Sequence, residues 1–548
     1  MQITSQPMKF LLNQLLPLLL LLPSFLNAQD GRLLRGTVLD VEGNVALPGA
    51  NVYWELDPQK GVVTDLEGNF SLEIATLPAR LVISFIGYET SFRTITSNDI
   101  QKDMRFFLKA EVLSLDEIII RGKNPEDHIK GIEMGKSSVP IETIKNIPAL
   151  FGEVDILRSL QLLPGVQTAG EGTTGLFVRG GSADQNLIQL DGAPVYNPSH
   201  FFGFFSVFSP DALSGVEFYK GNIPANLGGR VSSVVDVALK EGNFQQIRGE
   251  GGIGSISSRL TVDGPLFSEK SSFIVSGRRT YADAFLRLSS NPNINQNDLY
   301  FYDLSGKFTF KLGDRDKVSL SSYYGSDLLG IARQFSLGWN NFLTAVNWNR
   351  NISASSFFDL NAYHSRYQYQ VQFQDTQDGF NWTNTLSESG LRMEWTWLGS
   401  SNSILKAGYH GQVYRFAPIL LETAPESNLD DLSTNPSNGL LNNVFVSGSS
   451  DIGEKVRVEA GLRLALYNEV GKGVVYSYEG GVPDRNVDIT DTLHFGRLEN
   501  MKGYQRLEPR VSLRYLISPK LSFKASYNRN HQFLQVATNS SAGLPLTV

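Results

Sequence analysis

From about Arg248 onward the chain keeps a period of two. Val456, Val458, Ala460, Leu462, Leu464 and Leu466 alternate with Lys455, Arg457, Glu459, Gly461, Arg463 and Ala465. Leu521, Phe523, Ala525 and Tyr527 alternate with Lys520, Ser522, Lys524, Ser526 and Asn528, and residues 306–312, 318–324, 405–414 and 509–515 repeat the pattern. Successive side chains of a strand point to opposite faces, so these segments require a sheet with one apolar and one polar side. Each is close to the ~9–11 residues that a tilted membrane strand needs. Lys and Arg on the polar face suit a wet lumen, and Tyr323, Tyr324, Trp395, Trp397, Tyr467 and Tyr515 fit interfacial aromatic girdles. No later segment offers an apolar helix long enough to span a bilayer, and lipid tolerates only helices or closed barrels. The expected fold of residues 245–548 is therefore an antiparallel transmembrane β-barrel. A soluble sandwich or propeller is the competing reading, but no blade-like repeat occurs and the strands run long.

The N-terminus fits export. Lys9 precedes an apolar run over residues 10–22, broken by Asn13, Gln14 and Pro17, and small-residue chemistry follows at Leu26-Asn27-Ala28. This three-part layout reads as a signal peptide over residues 1–28. The chain has no cysteine, which removes disulfides, thiolate catalysis, Cys-based metal sites and a lipidated N-terminal Cys together. A net charge of -7 provides no basic field for nucleic acid.

Between export signal and alternating strands lie three further parts. Residues 29–111 carry short strands separated by turns: Gly36-Thr37-Val38-Leu39-Asp40, a turn at Glu42-Gly43-Asn44, then Leu47 to Tyr53. Thr64 to Phe70 forms a turn opening a third strand, and Leu81 to Glu89 a fourth. This spacing predicts a small β-sandwich. Residues 112–130 hold the β-branched run Asp116-Glu117-Ile118-Ile119-Ile120-Arg121 and then a polar stretch; the run is either one more sandwich strand or a peptide that adds to a partner's sheet. Residues 131–244 predict a small α+β domain. Glu153 to Leu162 places Val154, Leu157 and Leu160 on a helical stripe that Pro164 and Gly165 end, and short β-runs lie at 176–179, 186–190, 216–219 and 231–239.

Catalytic signatures are weak. Gly170–Gly175 and Gly249–Gly254 match Gly-x-Gly-x-x-Gly, but neither sits in a strand–turn–helix unit. His128, His200, His364, His410, His494 and His531 are scattered without metal-ligand spacing, and no Gly-x-Ser-x-Gly elbow occurs. The expectation is a protein that is not an enzyme, with no cofactor and no metal.

The phrases of residues 36–89 resemble the carboxypeptidase-regulatory-like (transthyretin-like) domain, a non-catalytic accessory. The central stretch resembles the plug domain of TonB-dependent outer-membrane receptors, closest to Bacteroidetes-type members. The phrases that carry this are Leu160-Gln161-Leu162-Leu163-Pro164-Gly165-Val166, Val178-Arg179-Gly180-Gly181, Asp184 to Gly192, Val216-Glu217-Phe218-Tyr219-Lys220-Gly221 and Leu227 to Asp236. Gly277-Arg278-Arg279-Thr280-Tyr281 and Glu508-Pro509-Arg510 extend the likeness into the strands. The resemblance implies energised uptake of a large or scarce substrate across the outer membrane. TonB with its inner-membrane complex, outer-membrane lipid and a surface lipoprotein would be the partners, and the N-terminal domain would lie in the periplasm. By position, Asp116, Glu117, Ile118, Ile119, Ile120 and Arg121 would be the TonB-box-like peptide. Arg179, Gly180, Gly181, Asp191, Gly192, Gly228, Gly229 and Arg230 would be structural in the plug, the glycines making tight turns and the arginines pairing with acids on the barrel wall.

A plugged barrel of this kind has about 22 strands. Only about a dozen are readable before Val548, and no terminal aromatic closes the chain, so the reading expects a truncated frame. Two other functions remain open: a receptor relaying occupancy through its N-terminal domain, and an inactive transporter fragment. The substrate is unspecified. Aromatics within 373–382 either stack on sugars or pack on one another.

Overall fold

The computed structural model describes residues 33–535 except 42–44, 75–76, 86–87, 89, 98, 100–103, 110–126, 148–152, 169–174, 376–377, 400–401, 426, 479–488 and 497–498. The expected signal peptide, the turn at Glu42-Gly43-Asn44, Asp116–Arg121, most of the first glycine motif and the last residues lie outside that set. The chain divides into two compact units, Met1–Val112 and Leu113–Val548.

In the first unit, two sheets enclose one core. The smaller orders Asn69–Glu73, Leu33–Asp40 and Met104–Leu108; the larger orders Asp57–Val63, Asn51–Trp54, Ala79–Ser84 and Ser91–Ile95. Alternation explains the packing: Leu34, Val38, Phe70, Leu72 and Phe106 from one sheet meet Val52, Trp54, Leu81 and Ile83 from the other. The turn predicted at 64–70 forms because Asp65 Oδ1 accepts the N–H groups of Glu67 and Asn69 at 3.1 and 2.7 Å.

The second unit contains a central domain and a large sheet, here called the wall. The central domain's five-stranded mixed sheet orders Ala193–Pro194, Asn186–Leu190, Ser233–Leu239, Leu213–Tyr219 and Lys136–Pro140. Its helix is shorter than the periodicity suggests, Ile156–Gln161, because Asp155 stops the first turn: its side chain accepts from Arg158 N–H. Leu157 and Leu160 are buried as expected, while Val154 lies outside the helix and packs on the core from its entry segment.

The wall is a 14-stranded sheet whose path runs from Arg248–Ile253 to Leu521–Asn528, with Leu432–Ser433 off the path against Ile404–Thr423. Neighbours along the path are antiparallel, and among the described residues each terminal strand has a partner on one side only. Closure into a barrel is not seen among the described residues. The middle strands exceed the expected length: Asp298–Lys311 has 14 residues and Ile404–Thr423 has 20. Cross-strand pairing carries the ladders past the segments that periodicity detects. Residues 417–440 are largely the arms of a hairpin, and beyond Val470 the strands Gly473–Tyr478 and Ile489–Phe495 pair with each other.

The polar face of the wall turns inward. In Asp298–Lys311, buried Asp303, Ser305, Lys307 and Thr309 alternate with outward Leu304, which is 54% exposed. Leu320, Val346, Val444, Val446, Leu462 and Leu464 are outward and exposed in the same way. The central domain lies against the inner face, touching strands from Ser257–Pro265 to Leu521–Asn528.

Candidate functional site

The seam between central domain and wall concentrates the buried charge of the molecule. Sequence spacing gives no access to it, because its partners lie far apart along the chain.

At the end of the wall with the longer connections, His200 enters between two wall carboxylates. Its Nε2 is 2.7 Å from Asp303 Oδ1 and its Nδ1 2.6 Å from Asp327 Oδ2. Arg278 donates to Asp303 Oδ2 through Nε and Nη2, at 2.8 and 2.5 Å, and to the Ser206 carbonyl at 2.7 Å. Glu153 completes the group, 3.4 Å from Arg278 and accepting from Ser257 Oγ. Beyond His200, Phe202 packs edge-on against Trp339 at 5.2 Å, beside Tyr367, Tyr369, Phe380 and Trp382. The aromatics of 373–382 thus pack on their neighbours: Trp382 lies 6.0 Å from Tyr369, and Phe373 6.1 Å from Phe380.

A second contact centres on Asp191. Its Oδ1 accepts Leu239 N–H at 3.0 Å, Oδ2 accepts from Ser321 Oγ and lies 3.4 Å from Lys307 Nζ, and its carbonyl accepts from Asn361 at 3.1 Å. Asp191 has φ 48° and Gly192 φ 83°; a Cβ on Gly192 would stand 3.0 Å from Asn361 Nδ2. Beside it a cavity of about 230 Å³ is lined by Asp191, Asp236, Asp359, Arg392 and Glu394 among others. Burial pushes the Asp236 carboxyl up to about 6.

A third contact is an arginine collar. The loop of residues 222–230 leaves its carbonyls without strand partners, and two wall arginines satisfy them. Arg463 Nη1 donates to Ala225 and Asn226 at 3.2 and 3.3 Å. Arg510 Nη1 donates to Ile223 and Leu227 at 3.0 and 2.7 Å and also to Pro224, while its Nη2 donates to Glu508 at 3.0 Å. Gly228 lets the loop approach: a Cβ there would meet Arg463 Nε at 2.9 Å. On the other side of the domain Lys145 and Arg259 grip Asp211 at 2.8 and 2.7 Å. Burial opposes ionisation there, but those two cations hold the Asp211 carboxyl below its usual range.

The arginines expected to pair with the wall do not do so among the described residues. Arg179, at φ 50°, packs its guanidinium over Gly135 and Gly221 inside the central domain. Arg230 donates to the carbonyl of Gly229 at 2.9 Å. At the 222–230 loop the cations come from the wall instead, because that loop presents acceptors and no carboxylate. Gly180 and Gly229 take left-handed φ values of 83° and 81°, and a Cβ on Gly181 would meet Ser232 Oγ at 2.5 Å. Arg278, Glu508 and Arg510 stood in sequence within phrases that carry the resemblance, and Arg463 as a charge in an alternating strand, but with no sign of what each would meet. His200 had no signal, since its partners are 103 and 127 residues away.

Comparisons agree with this architecture. Residues 34–120 match the family model of the CarboxypepD_reg-like domain and residues 136–235 that of the TonB-dependent receptor plug domain. A TonB-dependent receptor P39 of Formosa agariphila is 30% identical over 240 residues, covering 41% of this chain and 21% of that protein. Among solved structures, the copper transporter OprC aligns with a TM-score of 0.52 at 12% identity, covering 70% of this chain and 63% of that one. The Serratia marcescens hemophore receptor HasR, in complex with its hemophore HasA and heme, aligns at 0.51 and 14%, covering 74% and 64%. The ferric citrate transporter FecA aligns at 0.51 and 13%, covering 72% and 62%. The chain thus spans about a fifth of the curated relative and less than two thirds of these solved chains. Such low identities compare folds alone, while the two domain matches and the curated relative point to TonB-dependent receptors over the residues they cover. With a carboxypeptidase-regulatory-like domain ahead of a TonB-dependent receptor plug domain, and the plug seated on the polar face of a long antiparallel sheet, this chain is similar to the TonB-dependent receptors.

Proposed function

We propose that this chain works as an energised importer of the outer membrane, its plug blocking a lumen that the wall helps to line. The observation that carries the reading is the seam: a folded plug held on a polar wall by hydrogen bonds and ion pairs, each able to be exchanged for water. An apolar interface of that extent would resist remodelling; polar contacts to backbone carbonyls and carboxylates are individually worth only about 1–3 kcal/mol net. The outward apolar residues would meet lipid, the longer connections would face outside, and the N-terminal domain would hang in the periplasm after export.

In this reading Asp116–Arg121 is the peptide that TonB grips by strand addition, its main chain supplying affinity and alternate side chains specificity. The CarboxypepD_reg-like match reaches residue 120, so the peptide would double as the trailing edge of that domain. The absence of cysteine makes the test direct. Single cysteines placed at each position from 116 to 121 should form disulfides with cysteine variants of a TonB C-terminal domain at every second position. Equal capture along the segment, or none, would remove the TonB assignment. Uptake by intact cells that persists after TonB deletion or collapse of the proton gradient would remove energised import.

A further inference from the structure

His200 is 1% exposed, and both of its ring nitrogens face carboxylate oxygens within 2.7 Å. A neutral imidazole has one donor and one acceptor, so it can satisfy only one of them. The carboxylates are themselves committed as acceptors. Asp303 Oδ2 takes two bonds from Arg278, and its Oδ1 takes the Tyr323 hydroxyl at 2.5 Å as well as His200. Asp327 Oδ1 takes the Phe201 N–H at 3.0 Å while Oδ2 faces the ring. With both carboxylates ionised, both ring nitrogens carry protons. The imidazolium stacks on Phe301 at 4.1 Å and 3°, and Arg278 lies over the same ring at 5.0 Å, as two cations sharing one aromatic face system would.

The residues after His200 are strained. Phe201 and Phe202 have φ of 48° and 56°, a left-handed conformation that bulky side chains rarely adopt. Phe201 is tied by its N–H to Asp327, and Phe202 is wedged on Trp339. The clasp at His200 and the strained aromatic apex are thus consecutive in the chain and share Asp327.

We propose that protonated His200 is a latch: it holds the strained apex of the plug on the wall, and loss of its single proton lets the apex relax. The charges that face it are Asp303 and Arg278 from neighbouring wall strands, Asp327 with Tyr323 from the next, and Glu153 and Asp155 from the plug segment beneath Arg278. With the imidazolium, two cations oppose Asp303, Asp327 and Glu153; without it, Arg278 alone does. Burial pulls His200 down, but Asp303 and Asp327 outweigh it and raise the group from 6.5 to about 9. Since the folded value lies above the ordinary one, the latch is complete below about pH 6.5 and is lost as pH rises through about 9.

The test uses the full chain in detergent micelles with ¹⁵N-labelled histidine. Ring-nitrogen shifts should show a doubly protonated imidazole at pH 8. Hydrogen-exchange protection factors, corrected for the intrinsic pH dependence, should fall on the order of tenfold per unit around pH 9 for residues 199–208 and stay flat in the mid-wall strands. His200→Gln should lack the step and show the relaxed apex at every pH. Asp327→Asn, which keeps Phe201's acceptor, should move the midpoint down by about one unit or more. A neutral ring at pH 8, an unchanged step in His200→Gln, or an unmoved midpoint in Asp327→Asn would each overturn the latch. If His200→Gln fails to fold, the ring shifts and Asp327→Asn still decide it.

Discussion

At the scale of single residues, the seam depends on how close the backbone comes to a side chain. Gly192 and Gly229 have nearly equal φ, 83° and 81°, but different surroundings: Asn361 would crowd a Cβ on Gly192, whereas nothing lies within 4 Å of one on Gly229. Gly229→Ala should therefore cost only left-handed strain, about 1 kcal/mol, and Gly192→Ala about 2–3 kcal/mol, because Asn361 must also give up its bond to the Asp191 carbonyl. Chemical denaturation followed by plug proteolysis separates the two. Arg510→Met is the harsher change. It strips donors from three loop carbonyls and leaves Glu508, 1% exposed, short of a partner, for an expected loss of about 3 kcal/mol. Adding Glu508→Gln should recover part of that loss in a double-mutant cycle read by the same denaturation.

At the scale of elements, two features repay measurement. Asp155 ends the entry segment and starts the helix Ile156–Gln161, accepting from Arg158 N–H at 2.9 Å and from Ser206 N–H at 2.5 Å. It is buried, and burial raises its carboxyl above the usual range despite those two bonds. Asp155→Ala should cost about 2 kcal/mol through the lost cap and the orphaned Ser206 amide, and Asp155→Asn distinctly less, measured by exchange protection of residues 156–162. In the wall, Val444 is 56% exposed on the outward face of Ser437–Ile452. Val444→Lys should weaken folding into lipid vesicles by about 2–4 kcal/mol if it sits near mid-depth, while a polar change at inward Ser447 should cost far less. Equal costs at both positions would remove the assignment of that face to lipid.

At the scale of the whole molecule, stability should be graded. The first unit has its own core of Leu34, Val38, Trp54, Phe70, Leu81 and Phe106, so residues 29–112 expressed alone should fold and give an independent calorimetric transition. Within the second unit, the plug meets the wall through side-chain contacts, polar ones and apolar ones at Ile274, Leu343, Ala345 and Tyr363, while wall strands hold one another by ladders of up to 18 paired residues. Rising urea should therefore expose amides of residues 136–239 before those of residues 335–398, as hydrogen exchange with mass spectrometry would record.

Sequence by itself determined what depends on local order. Period-two alternation assigned the wall and its two faces; Gly and Asp at turn positions placed Asp65–Asn69 and Gly192; five ordered phrases located the plug. It overstated the helix at Glu153–Leu162, because Glu153 turns to Arg278 and Asp155 to a cap. It understated the strands, because pairing between neighbours extends a ladder beyond the apolar segment that alternation detects. It also assigned the seam's cations to Arg179 and Arg230, where the fold uses Arg278, Arg463 and Arg510. Only tertiary structure decided which charges meet. His200, Asp303 and Asp327 become neighbours because the sheet brings residues more than a hundred positions apart to one inward face, and a buried charge is tolerated only where such partners converge.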